Sequence, residues 1–343
     1  MKKKILIFTI FLSILLIPGL VLSANPEVVL RISNAGPANP SDKTYVANSI
    51  FETLVERGTD GRIEVECYHA SELGNERETF EGMQMGTIEM GTLTTGALPG
   101  FFKPIMVLDI PYLFKSNAVA WEVMGGEFGE KISKELCEKT GFRALAWADQ
   151  GFRNLTNSVR PIEVPADVKG LKIRTLENPA HMKAMRSLGA DPVPMAFNEV
   201  YTGLEQGTVD GMDQLVSLVY NMCFYEVQDY LTVSKHVYNF LTLYIADDVF
   251  QSLSKADQEI ILDAAEVWER VHSGYSQAQI QQGYAKLEEQ GMKINFFSLE
   301  QMEAFKEINQ DVVISFLKDE VGEEWVNEIF VAVEKAEDNI FNN

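Results

Sequence analysis

The sequence predicts an α/β chain folded as two lobes, on three observations. Strand and helix patterns alternate from residue 28 to 147, and the alternation restarts after Gln150-Gly151. No repeat, low-complexity tract or flexible linker separates the two runs, so the chain is expected to cross between lobes more than once, on strands. A proline-free helical pattern then runs from Asp257 to Gln290. At 1.5 Å per residue it makes a helix of about 50 Å, longer than one lobe. A chain of 343 residues with 46% hydrophobic content has enough apolar material for two cores.

In the first lobe, Val28 to Ala35 is apolar and β-branched, and Arg62 to Tyr68 alternates with the period of two that marks a half-buried strand. Between them Ser41 to Arg57 carries Val46, Ile50, Leu54 and Val55 on one helical face, giving strand, helix, strand and hence a parallel sheet. Helices follow at Glu76 to Met85, Ala118 to Met124 and Lys131 to Thr140, with strands near Met106 to Leu108 and Phe142 to Trp147. In the second lobe, Leu171 to Arg174 reads as a strand. Pro179 to Leu188 reads as a helix, with proline at its first position and Gly189 just past its end. A strand at Asp191 to Pro194, a helix from Asn198 to Gln206 and a strand at Thr208 to Asp210 complete it. The expected division is residues 25–150 plus about 240–280 for lobe I and 151–239 plus about 281–320 for lobe II, with a C-terminal helical segment at 321–343. The long helix spans both, unless Gly274 and Gly283 split it into two kinked halves.

Met1-Lys-Lys-Lys4 followed by uncharged Ile5 to Leu22 has the form of an export signal. Pro18-Gly19 breaks the apolar run, and small residues at Ser23 and Ala24 place cleavage there, making residues 1–24 a signal peptide; an uncleaved anchor is the competing reading. No cysteine lies at that junction to carry a lipid, so the mature chain is expected free in a periplasm. Cleavage removes three lysines, leaving 26 basic against 50 acidic residues and a net charge of −24. Nucleic acid and anionic lipid are poor partners for such a surface. The three cysteines, Cys67, Cys137 and Cys223, are far apart, odd in number and lack a C-x-x-C spacing, which points to buried free thiols, with one disulfide as the alternative, rather than to a metal site.

Catalytic signatures are absent: no Gly-x-Ser-x-Gly elbow, no His-Glu-x-x-His helix, no phosphate loop and no dinucleotide fingerprint occurs. His69, His181, His236 and His272 stand singly in dissimilar segments. No cofactor and no metal are expected. Carboxylates are too abundant for any catalytic pair to stand out.

Six segments do stand out: Ser71-Glu-Leu-Gly-Asn-Glu-Arg77, Gly151-Phe-Arg-Asn-Leu-Thr-Asn157, Val168-Lys-Gly-Leu-Lys-Ile-Arg174, Pro194-Met-Ala-Phe-Asn-Glu-Val-Tyr201, Gln206-Gly-Thr-Val-Asp-Gly211 and Phe224-Tyr-Glu-Val-Gln228. In this order they resemble the extracytoplasmic solute-binding subunits of TRAP transporters, the tripartite ATP-independent periplasmic carriers driven by ion gradients. The likeness runs from about Val28 to Ala265. It implies a two-lobed periplasmic binding protein fold with a ligand cleft between the lobes, an organic-acid ligand, and delivery to a small and a large membrane subunit by a monomeric carrier.

The resemblance also singles out Arg174 as the clamp on the ligand carboxylate, and the physics agrees: guanidinium offers two parallel N–H donors that match a carboxylate's two oxygens. By the same likeness Arg153 and Arg77 add donors and Phe197 covers the ligand's apolar face, with Glu72, Gln150 and Tyr201 as further contacts. Where many family members read Asp-Gly-Gln-Glu-Asn-Pro, this chain has Asp210-Gly-Met-Asp-Gln-Leu215, so the ligand-contacting Asn position is Gln214. Several polar candidates around one arginine favour a sugar acid such as a hexuronate; a C4-dicarboxylate, a 2-oxo acid or an aromatic acid stays open. A periplasmic enzyme acting on a small carboxylate and a sensory binding protein are the alternative functions.

Overall fold

The computed structural model describes residues 26–341. The predicted signal segment lies outside them. Nine strands form one sheet: β1 (Val28–Asn34), β2 (Ile63–Tyr68), β3 (Met90–Thr94), β4 (Phe142–Asn157), β5 (Lys172–Thr175), β6 (Asp191–Pro194), β7 (Gly211–Leu215), β8 (Tyr230–Ala246) and β9 (Lys293–Phe296). Their order is β2-β1-β3-β8-β4-β7-β5-β6, with β9 also on β8. The expected parallel pairing holds for β1 with β2 and β3 and for β5 with β6 and β7. The whole sheet is mixed, because β4 and β8 run antiparallel to each other and to their inner neighbours β7 and β3.

That pairing produces the two lobes. β3 borders only the later half of β8, at Leu241 to Ile245, whereas β9 borders its start at Tyr230 to Val233 and β7 borders the later half of β4. One end of the β4–β8 ribbon thus carries β3, β1 and β2, and the other carries β9, β7, β5 and β6. Between the ends the ribbon loses register at Asp149/Gly151 and again at Arg153/Leu155. Gly151 sits at φ +88° and Lys235 at φ +48°, both in left-handed backbone.

Each lobe buries both faces of its sheet. In the first, Leu30, Phe51, Ile245 and Trp268 pack under the helices Lys43–Gly58 and Lys255–Glu289, while Phe80, Phe102, Phe142 and Trp325 fill the other side. In the second, Val200, Met212, Phe224 and Leu287 form one core and Leu155, Ile173, Met185 and Phe305 the other. The helix Lys255–Glu289 is one uninterrupted element of 35 residues, started by Ser254, whose hydroxyl caps Asp257. It packs on the helix Lys43–Gly58 and on the helix Val216–Asn221, which lie in different lobes. The C-terminal segment forms the helix Glu323–Phe341, packed on the helix Asn117–Met124.

Three sequence expectations need correction. Met106 to Leu108 is not a strand but part of a 3₁₀ segment, Lys103–Asp109, with Pro104 at its start. Every residue from Ile105 to Asp109 is buried, so its apolar run has no period to tell strand from helix. The strand expected at Thr208 to Asp210 begins at Gly211 instead, because Gly207 at φ +67° ends the preceding helix and the next residues turn. That helix is itself shorter than expected: a 3₁₀ turn at Phe197–Glu199 precedes Val200–Glu205. The cysteines are free and half-buried.

Candidate ligand-binding site

Arg174 stands near the end of β5 with its side chain fully buried. Its Nε and Nη2 donate to the Met195 carbonyl at 3.0 and 2.7 Å, and Nη1 has no hydrogen-bond partner. No carboxylate touches this guanidinium. Burial lowers its pKa to about 10, which leaves it charged at neutral pH.

Facing it from the first lobe is Glu76, the first residue of the helix Glu76–Gln84. A capping box between Asn75 and Glu78 fixes that helix start, and Glu76 accepts the Thr94 N–H at 2.9 Å at the end of β3. The residue is half-buried, yet its carboxylate lies deep. Burial raises its pKa above the usual range, against the Thr94 N–H and the positive charges of Arg174 and Arg153. Glu76 and Arg77 form one wall of a cavity of about 60 Å³ whose other wall is Leu176, Met195 and Phe197. The cavity thus opens between the lobes at strand ends, where α/β sheets take their ligands.

Beside it lies a second buried cluster. Arg153 of β4 donates from Nε and Nη2 to the two carboxylate oxygens of Asp213 at 2.8 and 3.0 Å, and from Nη1 to Asn239 at 3.3 Å. Asn239 in turn donates to Thr94 Oγ1 at 2.9 Å and to Gln150 Oε1. Burial works to raise the Asp213 carboxyl, but Arg153, His181 and His236 outweigh it and hold it well below the usual carboxylate range. Arg153 is therefore neutralised within the protein, and Arg174 is not.

Residues 35–319 match the family described as bacterial extracellular solute-binding protein, family 7 (DctP). The chain belongs to this family. A solute-binding protein of Verminephrobacter eiseniae is 38% identical over 272 residues, covering 79% of this chain and 80% of that one. Among solved structures, a TRAP periplasmic solute-binding protein from Polaromonas sp. bound to D-erythronate is 33% identical, with a TM-score of 0.83 over 88% of this chain and 98% of that one. One from Roseobacter denitrificans with bound L-galactonate is 32% identical, again at 0.83, over 90% and 100%. All three are described as solute-binding proteins, and the two solved structures as periplasmic ones of TRAP systems.

Within the family 7 frame the predicted residues fall into three groups. Arg77 and Phe197 line the cavity together with Met195, whose carbonyl Arg174 holds, although Arg77 is exposed and shared between Glu81 at 3.0 Å and Glu177 at 3.5 Å. Arg153 and Gln150 meet at Asn239, and Gln214 is buried on β7 opposite Asn154 of β4. Glu72 is exposed on the turn before the helix Glu76–Gln84, and the Tyr201 hydroxyl is taken by Glu226 at 2.7 Å, with Phe224 between its ring and Phe197. Sequence reasoning named neither Glu76 nor Asn239. Neither had a signal short of the fold, since Glu76 is one carboxylate among 50 acidic residues. No group of metal-binding side chains occurs among the described residues, and no described helix is long and apolar enough to cross a membrane.

Proposed function

We propose that this chain is the periplasmic solute-binding subunit of a TRAP transporter and that its ligand is a sugar acid, an aldonate or a hexuronate, delivered to small and large membrane subunits after cleavage of its signal peptide. The observation that carries the ligand class is Arg174. A fully buried guanidinium with a free N–H edge and no contacting carboxylate is costly unless an anion completes it. Arg153 is already matched to Asp213, so the site has one cation to offer and suits one carboxylate. The polar groups near it, Glu76, Asn239, Gln150 and Thr94, suit hydroxyls. A dicarboxylate would set its second charge near Glu76. D-Erythronate and L-galactonate, held by two of the family 7 structures, are polyhydroxy monocarboxylates of this kind.

Titration calorimetry against a panel of L-galactonate, D-erythronate, D-galacturonate and succinate tests the reading. The wild type is expected to prefer the sugar acids to succinate. Arg174→Ala should fold and lose at least ~100-fold in affinity, since an enclosed carboxylate without its partner costs roughly 3 kcal/mol or more. Arg174→Lys should recover part of that. An Ala variant within threefold of wild type would sink the carboxylate clamp.

A further inference from the structure

We propose that His181 is a positioning residue for ligand capture: a doubly protonated imidazole that ties Asp109 of the first lobe to Asp213 of the second and so leaves the charge of Arg174 for the ligand. The proposal rests on the solute-binding reading above.

His181 lies on the helix Pro179–Ser187, which follows β5, and is fully enclosed together with both aspartates. Its Nε2 is 3.1 Å from Asp109 Oδ1 and its Nδ1 3.3 Å from Asp213 Oδ2. These are ion-pair distances, although neither N–H is aligned for a good hydrogen bond. A neutral imidazole has one N–H and one bare nitrogen, so between two carboxylates the bare nitrogen would face an oxygen lone pair; only imidazolium satisfies both sides. Burial opposes that charge, but Asp109 and Asp213 overcome it and hold the ring at about 9.

Other groups around His181 agree. Asn178, which caps the same helix, donates to the other oxygen of Asp109 at 2.8 Å. Arg153 on β4 engages Asp213 from behind. His236 on β8 lies 3.8 Å from Asp213, and burial keeps its ring neutral. Gly96, without a side chain, comes close to the imidazole: a Cβ there would lie 3.8 Å from His181 Cε1. On the helix Leu299–Val321, packed against the His181 helix, Asp311 and Asp319 line an outer groove with Lys183. Asp109, Asp213, Arg153 and His181 therefore sum to zero charge. Without the His181 proton the sum is −1, two carboxylates oppose each other across the cleft, and Asp213, whose field already reaches Arg174, competes with the ligand for it.

Opening the cleft takes Asp109 away and admits water, so the open form gives up the proton at lower pH than the closed form. Closure thus takes up a proton in the window below about 9. Affinity should be flat at low pH and fall as pH rises through that window. Calorimetry from pH 6.5 to 9.5, with whichever acid of the panel the wild type binds, should show a fall of at least tenfold. His181→Gln should bind at least tenfold more weakly than wild type at pH 7 and show no such fall, and adding Asp109→Asn should restore at least threefold by removing the opposed charge. Should His181→Gln fail to fold, Asp109→Asn alone must move the wild-type midpoint to lower pH. A Gln variant that keeps the wild-type profile, or an unmoved midpoint in Asp109→Asn, overturns the proposal. A wild type that binds no acid in the panel sinks the solute reading and this proposal with it.

Discussion

Gln214 and Leu215 stand where the family pattern has Asn-Pro, and the structure makes the two departures one event. The Leu215 N–H donates to Gln214 Oε1 at 2.9 Å, a bond that proline cannot make and a shorter side chain reaches less well. The longer amide folds back on its own main chain. Gln214→Met should leave the Leu215 N–H enclosed without an acceptor and cost about 1–3 kcal/mol in urea unfolding without ligand. Leu215→Pro should then cost less in the Met background than in wild type, a coupling of about 1 kcal/mol. Additive costs would mean that the bond contributes nothing. At this scale the sequence was informative where a motif is distinctive: Arg174 was singled out by the resemblance of Leu171-Lys-Ile-Arg174 to the family pattern, and the structure places it fully buried near the end of β5. Glu76 was not, because one carboxylate among 50 acidic residues looks like the rest until burial separates it.

The helix Lys255–Glu289 shows what element-level patterns do and do not carry. Its period and length were legible, and Gly274 and Gly283 were the reason to expect a kink. The helix stays continuous because packing from both lobes outweighs the weaker propensity at two positions. The two glycines differ in cause. A Cβ at Gly274 would meet nothing within 4 Å, whereas one at Gly283 would come 2.9 Å from Val216 Cγ1, where the helix Val216–Asn221 crosses. Gly274→Ala should therefore stabilise by about 0.5–1 kcal/mol, and Gly283→Ala should give no gain or a loss. Thermal unfolding of the two variants checks this; equal gains would mean that the contact at Val216 relaxes freely. The strand β8 went unread for the opposite reason. It is buried along its length except at Tyr230 and Lys235, so the alternation that marks a half-buried strand never develops.

At the scale of the whole molecule, the β4–β8 ribbon loses register between Asp149 and Gly151, next to the left-handed Gly151, with Lys235 left-handed on the facing strand. We take these as the places where the ribbon bends. A Cβ on Gly151 would lie 2.5 Å from Ile280 Cδ1, so the long helix packs directly against the bend, and any rotation must slide along it. Bonds that cross the division hold the described form shut: Lys43 Nζ to Ser217 at 2.8 Å, Asn221 to Asp42 at 3.0 Å, and Asn178 to Asp109. Apolar contacts cross it as well, with Ala180 and Ala184 packed into the first-lobe cluster. Water can replace each of the hydrogen bonds when the lobes part, so a ligand that pairs with a buried charge only in the shut form would shift the population toward it. Small-angle scattering should then show a smaller radius of gyration when the wild type is saturated with L-galactonate, and no such change for Arg174→Ala at the same ligand concentration. A wild-type profile that stays fixed at saturation, with binding confirmed by calorimetry, would place the bend elsewhere and leave a cleft that fills without closing.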